Sequence, residues 1–221
     1  MINKAATTTV NHQDGAEAAS LPYVLAVSGA SAQQLAERAL QLLLENDRHV
    51  HLILSRGAHE VWKAELGVQV PVEPSAQESF WRERLHTSKG TLNCHRWNDQ
   101  AASIASGSVR TRGMVIVPCS MGSVGRIAAG VATDLLERCA DVHLKEGRPL
   151  VLAPREMPWN LIHLRNLTAL AEAGARIAPP IPAWYTQPQT LDDMVDFLVV
   201  RLFDGLGESL KPIQRWKDGQ P

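Results

Sequence analysis

Short runs of Val, Ile and Leu recur along this 221-residue chain, each closed by polar or turn-forming residues and followed by helical spacing. A strand buried on both faces is written as a continuous apolar run, and parallel neighbours need a crossover between them, almost always right-handed. Alternation of this kind therefore restricts the chain to a parallel sheet with helices on both faces. Tyr23 to Val27 ends in Ser28-Gly29-Ala30-Ser31, after which Leu35, Ala39, Leu42 and Leu43 keep a helical period. His49 to Leu54 repeats the pattern, ending at Ser55 before a helix through Ala58, Val61, Trp62 and Leu66. The same spacing predicts a helix around Gln77 to Leu85 and strands at Thr91 to His95 and Met114 to Pro118. One long helical region follows from about Val124 to Lys145, then a strand at Leu150 to Ala153. A helix over Leu161 to Ala173 carries Leu161, Leu164, Leu167, Leu170 and Ala171 on one broad face. A last strand at Ala175 to Ala178 and a closing helix at Leu191 to Phe203 complete the pattern. The expected fold is α/β, a three-layer Rossmann-like (flavodoxin-like) arrangement with a mostly parallel sheet. Residues 21–221 form one domain and residues 1–20 a disordered tail. Rossmann and flavodoxin strand orders both satisfy the pattern.

Charge and composition narrow the function. The 22 basic and 23 acidic residues are mixed along the chain, so no basic stripe points to nucleic acid or to an anionic membrane. Cys94, Cys119 and Cys139 are odd in number and include no C-x-x-C pair, which argues against a zinc ribbon and a disulfide framework and for a reducing compartment. No apolar stretch approaches the roughly 18 residues of a membrane helix, so the protein is expected to be soluble and cytoplasmic. The eight His residues show neither H-x-x-H nor H-E-x-x-H spacing, and no metal is expected.

Ligands of open α/β sheets collect just beyond the carboxyl ends of the strands. Ser28-Gly29-Ala30-Ser31 lies at such an end, where backbone N–H groups and the Ser31 hydroxyl can face an anion; equally, Gly29 can make the turn and Ser31 cap the helix. Ser55, Ser120 and Ser123 offer hydroxyls at two further strand ends, or cap the helices that follow. The small residues at 103–108 suit a ligand loop or a closely packed turn. Arg155 and Glu156, directly after a buried strand and pinned between Pro154 and Pro158, suit phosphate or ring-carbonyl binding and proton transfer. Glu137, Arg138 and Lys145 have the spacing of a solvated helix face, Trp184 and Trp216 that of packing residues, and Tyr185 and Arg201 are not placed by spacing.

These segments together resemble the UbiX-type flavin prenyltransferases over about residues 22–217. The resemblance rests on Ser28-Gly29-Ala30-Ser31, Ala105-Ser106-Gly107-Ser108, Pro118-Cys119-Ser120, the run from Leu136 to Glu146, Pro154-Arg155-Glu156-Met157-Pro158 and Tyr185-Thr186-Gln187-Pro188-Gln189, in matching order and spacing. It implies a homo-oligomer, with a dodecamer as one form, that binds reduced FMN and dimethylallyl monophosphate. The dimethylallyl group would be joined to flavin N5 and C6, without metal, and the prenylated FMN passed to a UbiD-type decarboxylase that serves ubiquinone-type biosynthesis. Matched by position, Gly29, Ala30, Ser31, Ser55, Ser120, Met121, Gly122, Ser123 and Arg155 would contact FMN. Tyr185 and Arg201 would hold the prenyl phosphate together with Lys145 of a neighbouring subunit. Glu156 would be the acid/base group, Glu65 a polar site residue and Trp216 an aromatic cap. Two other readings stay open at this point: a flavin-dependent cysteine decarboxylase, and a non-catalytic FMN-binding protein.

One departure stands out. The family's first turn continues Gly-Ala-Ser-Gly-Ala with an aromatic residue soon after, whereas this chain has Gly29-Ala30-Ser31-Ala32-Gln33-Gln34. A methyl group at position 32 is expected to crowd the flavin or the substrate phosphate, and glycine there to carry the usual penalty of a helix interior.

Overall fold

A computed structural model describes residues 21–210; the tail at 1–20 and Trp216 lie outside the described residues. In chain order the elements are β1 (Tyr23–Val27), α1 (Gln33–Glu45), β2 (His49–Leu54), α2 (Arg56–Leu66), α3 (Pro74–Arg84) and β3 (Thr91–His95). They continue with β4 (Gly113–Cys119), α4 (Met121–Ala128), α5 (Leu135–Lys145), β5 (Leu150–Pro154), α6 (Leu161–Glu172), β6 (Arg176–Ile177) and α7 (Leu191–Asp204). Single 3-10 turns occupy Ser103–Ala105 and Trp184–Thr186.

The six strands lie in the order β3-β2-β1-β4-β5-β6, and every neighbouring pair is parallel. Of the two orders compatible with the sequence, this is the Rossmann one, with its reversal between β1 and β4. All five residues of β1 and of β5 are buried, as are all seven of β4. Successive side chains feed opposite faces. Tyr23, Leu25 and Val27 join one apolar cluster with Leu43, Trp62, Trp81 and Phe203, while Val24 and Ala26 join another with Val124, Leu136 and Leu170. Helices α1, α2, α3 and α7 thus cover one face and α4, α5 and α6 the other. Each fully buried Leu or Ile contributes about 1.5–3 kcal/mol relative to its exposed form, so both layers are needed to hold the sheet. Among the described residues no helix is long and apolar enough to cross a membrane.

Three expectations are corrected. The region 124–145 is two helices, because Gly130 adopts φ 68°, ending α4, and Asp134 caps α5 by accepting the Glu137 N–H. Glu137 is 1% exposed and no part of a solvated face. Its carboxylate accepts hydrogen bonds from the Thr133 N–H (2.8 Å), the Thr133 hydroxyl (2.7 Å) and the Arg126 guanidinium, fastening the link between the two helices. The apolar face of α6 is buried only in its second half, at Leu167 and Leu170; Leu161 and Leu164 are 59% and 46% exposed.

Candidate active site at the carboxyl edge of the sheet

The strand ends are laced together by their own first loop residues. The Ser55 N–H donates to the Val27 carbonyl (2.9 Å), tying β2 to β1, and the Arg155 N–H donates to the Cys119 carbonyl (3.0 Å), tying β5 to β4. At the reversal point Ser28, fully buried, links β1 to β4: its N–H and hydroxyl both donate to the Pro118 carbonyl, and its Oγ accepts the Ser120 N–H at 2.6 Å. Ser28 is not legible as a functional position in the sequence, since nothing in a Ser-Gly-Ala-Ser string shows that its first hydroxyl spans to a strand 90 residues away.

Above this seam stand the amino-terminal ends of α1, α2 and α4. Their unpaired N–H groups and helix dipoles make a positive edge, and none of the three carries an acidic residue in its first turn. Ser55 and Ser120 cap their helices, accepting the Ala58 and Ser123 N–H groups at 3.2 Å each, and the Ser120 and Ser123 hydroxyls pair at 3.1 Å. Ser31 is half-buried and is not a cap; the position before α1 belongs to Ala32, which has no side-chain oxygen to offer. Gly122 sits in the first turn of α4 close to the Arg126 guanidinium, and Met121 beside it is buried.

Gly29 owes its identity to a neighbour. A Cβ there would lie 2.9 Å from the Cα and carbonyl carbon of Gly57, at the start of α2, so the two turns meet backbone to backbone. Gly57 is a second residue that the sequence alone does not single out. The turn is braced by Gln33, whose side-chain amide donates to the Ser28 carbonyl (3.0 Å) and the Ala30 carbonyl (2.7 Å). Ala32 is not in a helix interior: at φ 81°, ψ 40° it is left-handed. Beside it opens a cleft of about 800 Å³, lined by Ala32, Leu35, Arg155, Pro180, Pro182 and Leu191 among others.

The donor set fits a phosphorylated ligand. Three helix ends without competing carboxylates suit a terminal phosphate, the Gly29–Gly57 contact keeps side chains out of the approach, and Arg155 stands exposed at the cleft. Glu156 is exposed beside it, one oxygen accepting the Met157 N–H at 3.0 Å. Gly29, Ala30, Ser31, Ser55, Ser120 to Ser123 and Arg155 therefore share one edge of one chain.

Lys145 and Glu65 lie apart from that edge within the chain. Lys145 ends α5, five residues before β5 begins, and so belongs to the amino edge, paired with Glu146 and close to Gly107. Glu65 is exposed in the last turn of α2, about 15 Å along the helix from Ser55 at 1.5 Å per residue. Tyr185 meets Phe197 of α7 edge to face at 5.9 Å, and Arg201 in the last turn of α7 donates to Asp204 at 2.7 Å.

Burial suppresses charge on several cysteines and histidines of the fold. Burial pushes the thiols of Cys94, Cys119 and Cys139 up to about 12, so they stay protonated. His51 and His143 are both lowered to about 4, chiefly by burial. His51 lies between His49 and His95 on one sheet face, its Nδ1 2.8 Å from His95 Nε2, a cluster hidden from a search for metal-binding spacings because β3 supplies one member. No group of three or more His, Cys, Asp or Glu among the described residues is arranged to hold a metal ion.

Comparison with known proteins agrees with this geometry. A family model described as Flavoprotein matches residues 12–203. The chain is 55% identical over 199 residues to the flavin prenyltransferase UbiX of Synechocystis sp., covering 90% of this chain and 97% of that protein. Among solved structures it is similar to AnUbiX in complex with FMN and dimethylallyl pyrophosphate, with TM-score 0.76 and 35% identity over 89% of this chain and 99% of that one. It is also similar to a dodecameric FMN-dependent UbiX-like decarboxylase from Escherichia coli O157:H7, with TM-score 0.77 and 38% identity over 89% and 100% of the two chains.

Proposed function

The chain belongs to the UbiX-type flavin prenyltransferases of the flavoprotein family, and on that premise we propose that it joins the dimethylallyl group of dimethylallyl monophosphate to N5 and C6 of reduced FMN. The product, prenylated FMN, serves a UbiD-type decarboxylase in the cytoplasm. The observation that carries this reading is the convergence of three helix amino termini, free of first-turn carboxylates, on an edge that also holds Arg155 and Glu156.

Bound reduced FMN supplies the electron-rich ring atoms to which the prenyl carbons become attached. The chain's own residues do the rest. N–H groups at the starts of α1, α2 and α4, with the hydroxyls of Ser31, Ser55, Ser120 and Ser123, hold the flavin phosphate, while Arg155 orients the ring. As the carbon–oxygen bond of the prenyl phosphate breaks, its electron pair leaves with phosphate. Tyr185, Arg201 and a neighbouring subunit's lysine, matching Lys145, neutralise that charge where other prenyl transfers use a metal. Glu156 gives and takes the protons this requires: one passes from N5–H to the leaving phosphate, and a second is given to the prenyl double bond, whose tertiary carbon then joins C6, and is recovered from C6.

Lys145 stands at the amino edge of its own chain, so this reading requires a homo-oligomer, with a dodecamer the expected form. Exposed apolar side chains support assembly: Met157, Ile162, Trp184 and Leu191 are 91%, 66%, 72% and 77% exposed. The experiment is direct. Purified protein with dimethylallyl monophosphate should release inorganic phosphate only when reduced FMN is present, at a rate that EDTA does not change. Release without flavin, or loss with EDTA restored by Mg²⁺, contradicts the mechanism.

A further inference from the structure

We infer that Gln33 is a positioning residue for the flavin-phosphate turn, and that it works as a pair with Ala32. The inference deepens the proposed function and rests on its assignment of this turn to FMN. Both residues depart from the family's first turn, which has glycine and alanine in their places, and they are adjacent in sequence.

Ala32 holds φ 81°, a backbone that glycine adopts freely and an L residue adopts only at a cost. Left to itself, an alanine at this place would relax toward a right-handed conformation and carry residues 29–31 with it. Something must hold it. Gln33 is fully buried, where an apolar residue would ordinarily stand, and directs both hydrogens of its amide to the Ser28 and Ala30 carbonyls, at 3.0 and 2.7 Å. Those carbonyls bracket Gly29, and Ser28 is itself fixed to β4 through Pro118 and Ser120. The amide therefore closes a chain of contacts from the sheet through the turn to the first residue of α1.

The other end of the same amide points the same way. Gln33 Oε1 is buried and has no hydrogen-bond partner among the described residues. A buried acceptor left unpaired is destabilising, so a glutamine at this site is explained by its donors and not by general packing. With glycine at position 32 the same backbone would carry no such cost; with Ala32 it does, and the Gln33 amide opposes it.

The test is a double-mutant cycle read by FMN affinity, using flavin fluorescence on the parent, Gln33→Ala, Ala32→Gly and the double variant, with thermal unfolding of each in parallel. Losing two neutral hydrogen bonds should weaken FMN binding of Gln33→Ala by roughly tenfold. The double variant should recover to within about threefold of the parent, since Ala32→Gly removes the strain that Gln33 opposes. Should Gln33→Ala fail to fold while the double variant folds and binds FMN, the coupling is confirmed in its extreme form. Parent-like FMN affinity in Gln33→Ala, or a double variant no better than Gln33→Ala in folding and binding, overturns the inference. A parent that binds no FMN would instead overturn the assignment of the site, a result distinct from either.

Discussion

Replacing Gly29 by alanine tests the closest backbone contact of the site. The added Cβ would meet the Gly57 Cα and carbonyl carbon at 2.9 Å and its oxygen at 3.1 Å. Non-bonded carbons prefer about 3.5–4.0 Å, so roughly 0.6 Å or more must be regained. Neither side can yield through a side chain. Relief requires the β1–α1 turn to separate from the start of α2, which the Ser55 cap and the Ser55–Val27 hydrogen bond resist. Overpacking of this kind costs about 1–3 kcal/mol. At this chain length each kcal/mol moves Tm by about 2–4 °C, so a fall of roughly 2–12 °C is expected. FMN affinity should fall as well, because the displaced turn is the one proposed to hold the flavin phosphate. Gly130→Ala is the control: its φ of 68° makes alanine strained, but nothing lies within 4 Å of the new Cβ, and the residue sits between α4 and α5. It should lower Tm and leave FMN affinity alone. Thermal unfolding and flavin titration of both variants decide the matter. Parent-like Tm and affinity in Gly29→Ala, or equal loss of affinity in the two variants, would refute the reasoning.

Glu156→Gln should keep FMN binding and slow prenyl transfer by about 10²–10⁴-fold, as loss of a general acid/base group does; a parent-like rate in a single-turnover assay would make Glu156 structural. The buried imidazoles of His51 and His143, lowered to about 4 from an ordinary value near 6.5, bind protons more readily when unfolded. They therefore carry no protonation penalty above about pH 6.5 and destabilise the fold increasingly as pH falls from there toward 4, so urea midpoints should drop over that window and less steeply in His143→Gln. Glu137→Ala strands the Thr133 donors and the Arg126 guanidinium and should cost about 2 kcal/mol in a urea unfolding series; a change below about 0.5 kcal/mol would show the link between α4 and α5 to be held by other contacts.

What the sequence makes legible follows from the range of its signals. Strands β1, β4 and β5 are dominated by apolar runs and β2 closes on Leu52-Ile53-Leu54, so their positions are plain, and the residues that follow them deliver Ser31, Ser55, Ser120 and Arg155 to one edge. Strand order is not legible, because both doubly wound orders share the same local pattern, and it is decided by which faces of the helices pack. The break at 129–134 is hidden because Gly130 and Asp134 lie inside a stretch whose apolar spacing continues across them. Ser28, Gln33 and Gly57 act through contacts with other turns and strands, and no spacing rule reaches that far. The exposure of Leu161 and Leu164 is hidden for a related reason: their helical period is sound, but the surface that would cover them is not part of the same chain's core. Ala32 is visible in the sequence as a departure but not as a left-handed residue outside the helix, since φ is not written in the residue name.

The central claim concerns what the protein makes from flavin. The most direct measurement is the mass of the flavin released after anaerobic incubation of the purified protein with reduced FMN and dimethylallyl monophosphate. The account predicts FMN heavier by one five-carbon prenyl unit, formed in proportion to phosphate released and absent when Glu156→Gln replaces the parent over the same interval. Recovery of unmodified FMN from a parent that binds it tightly would contradict the account and leave a flavin-binding protein without the transferase chemistry.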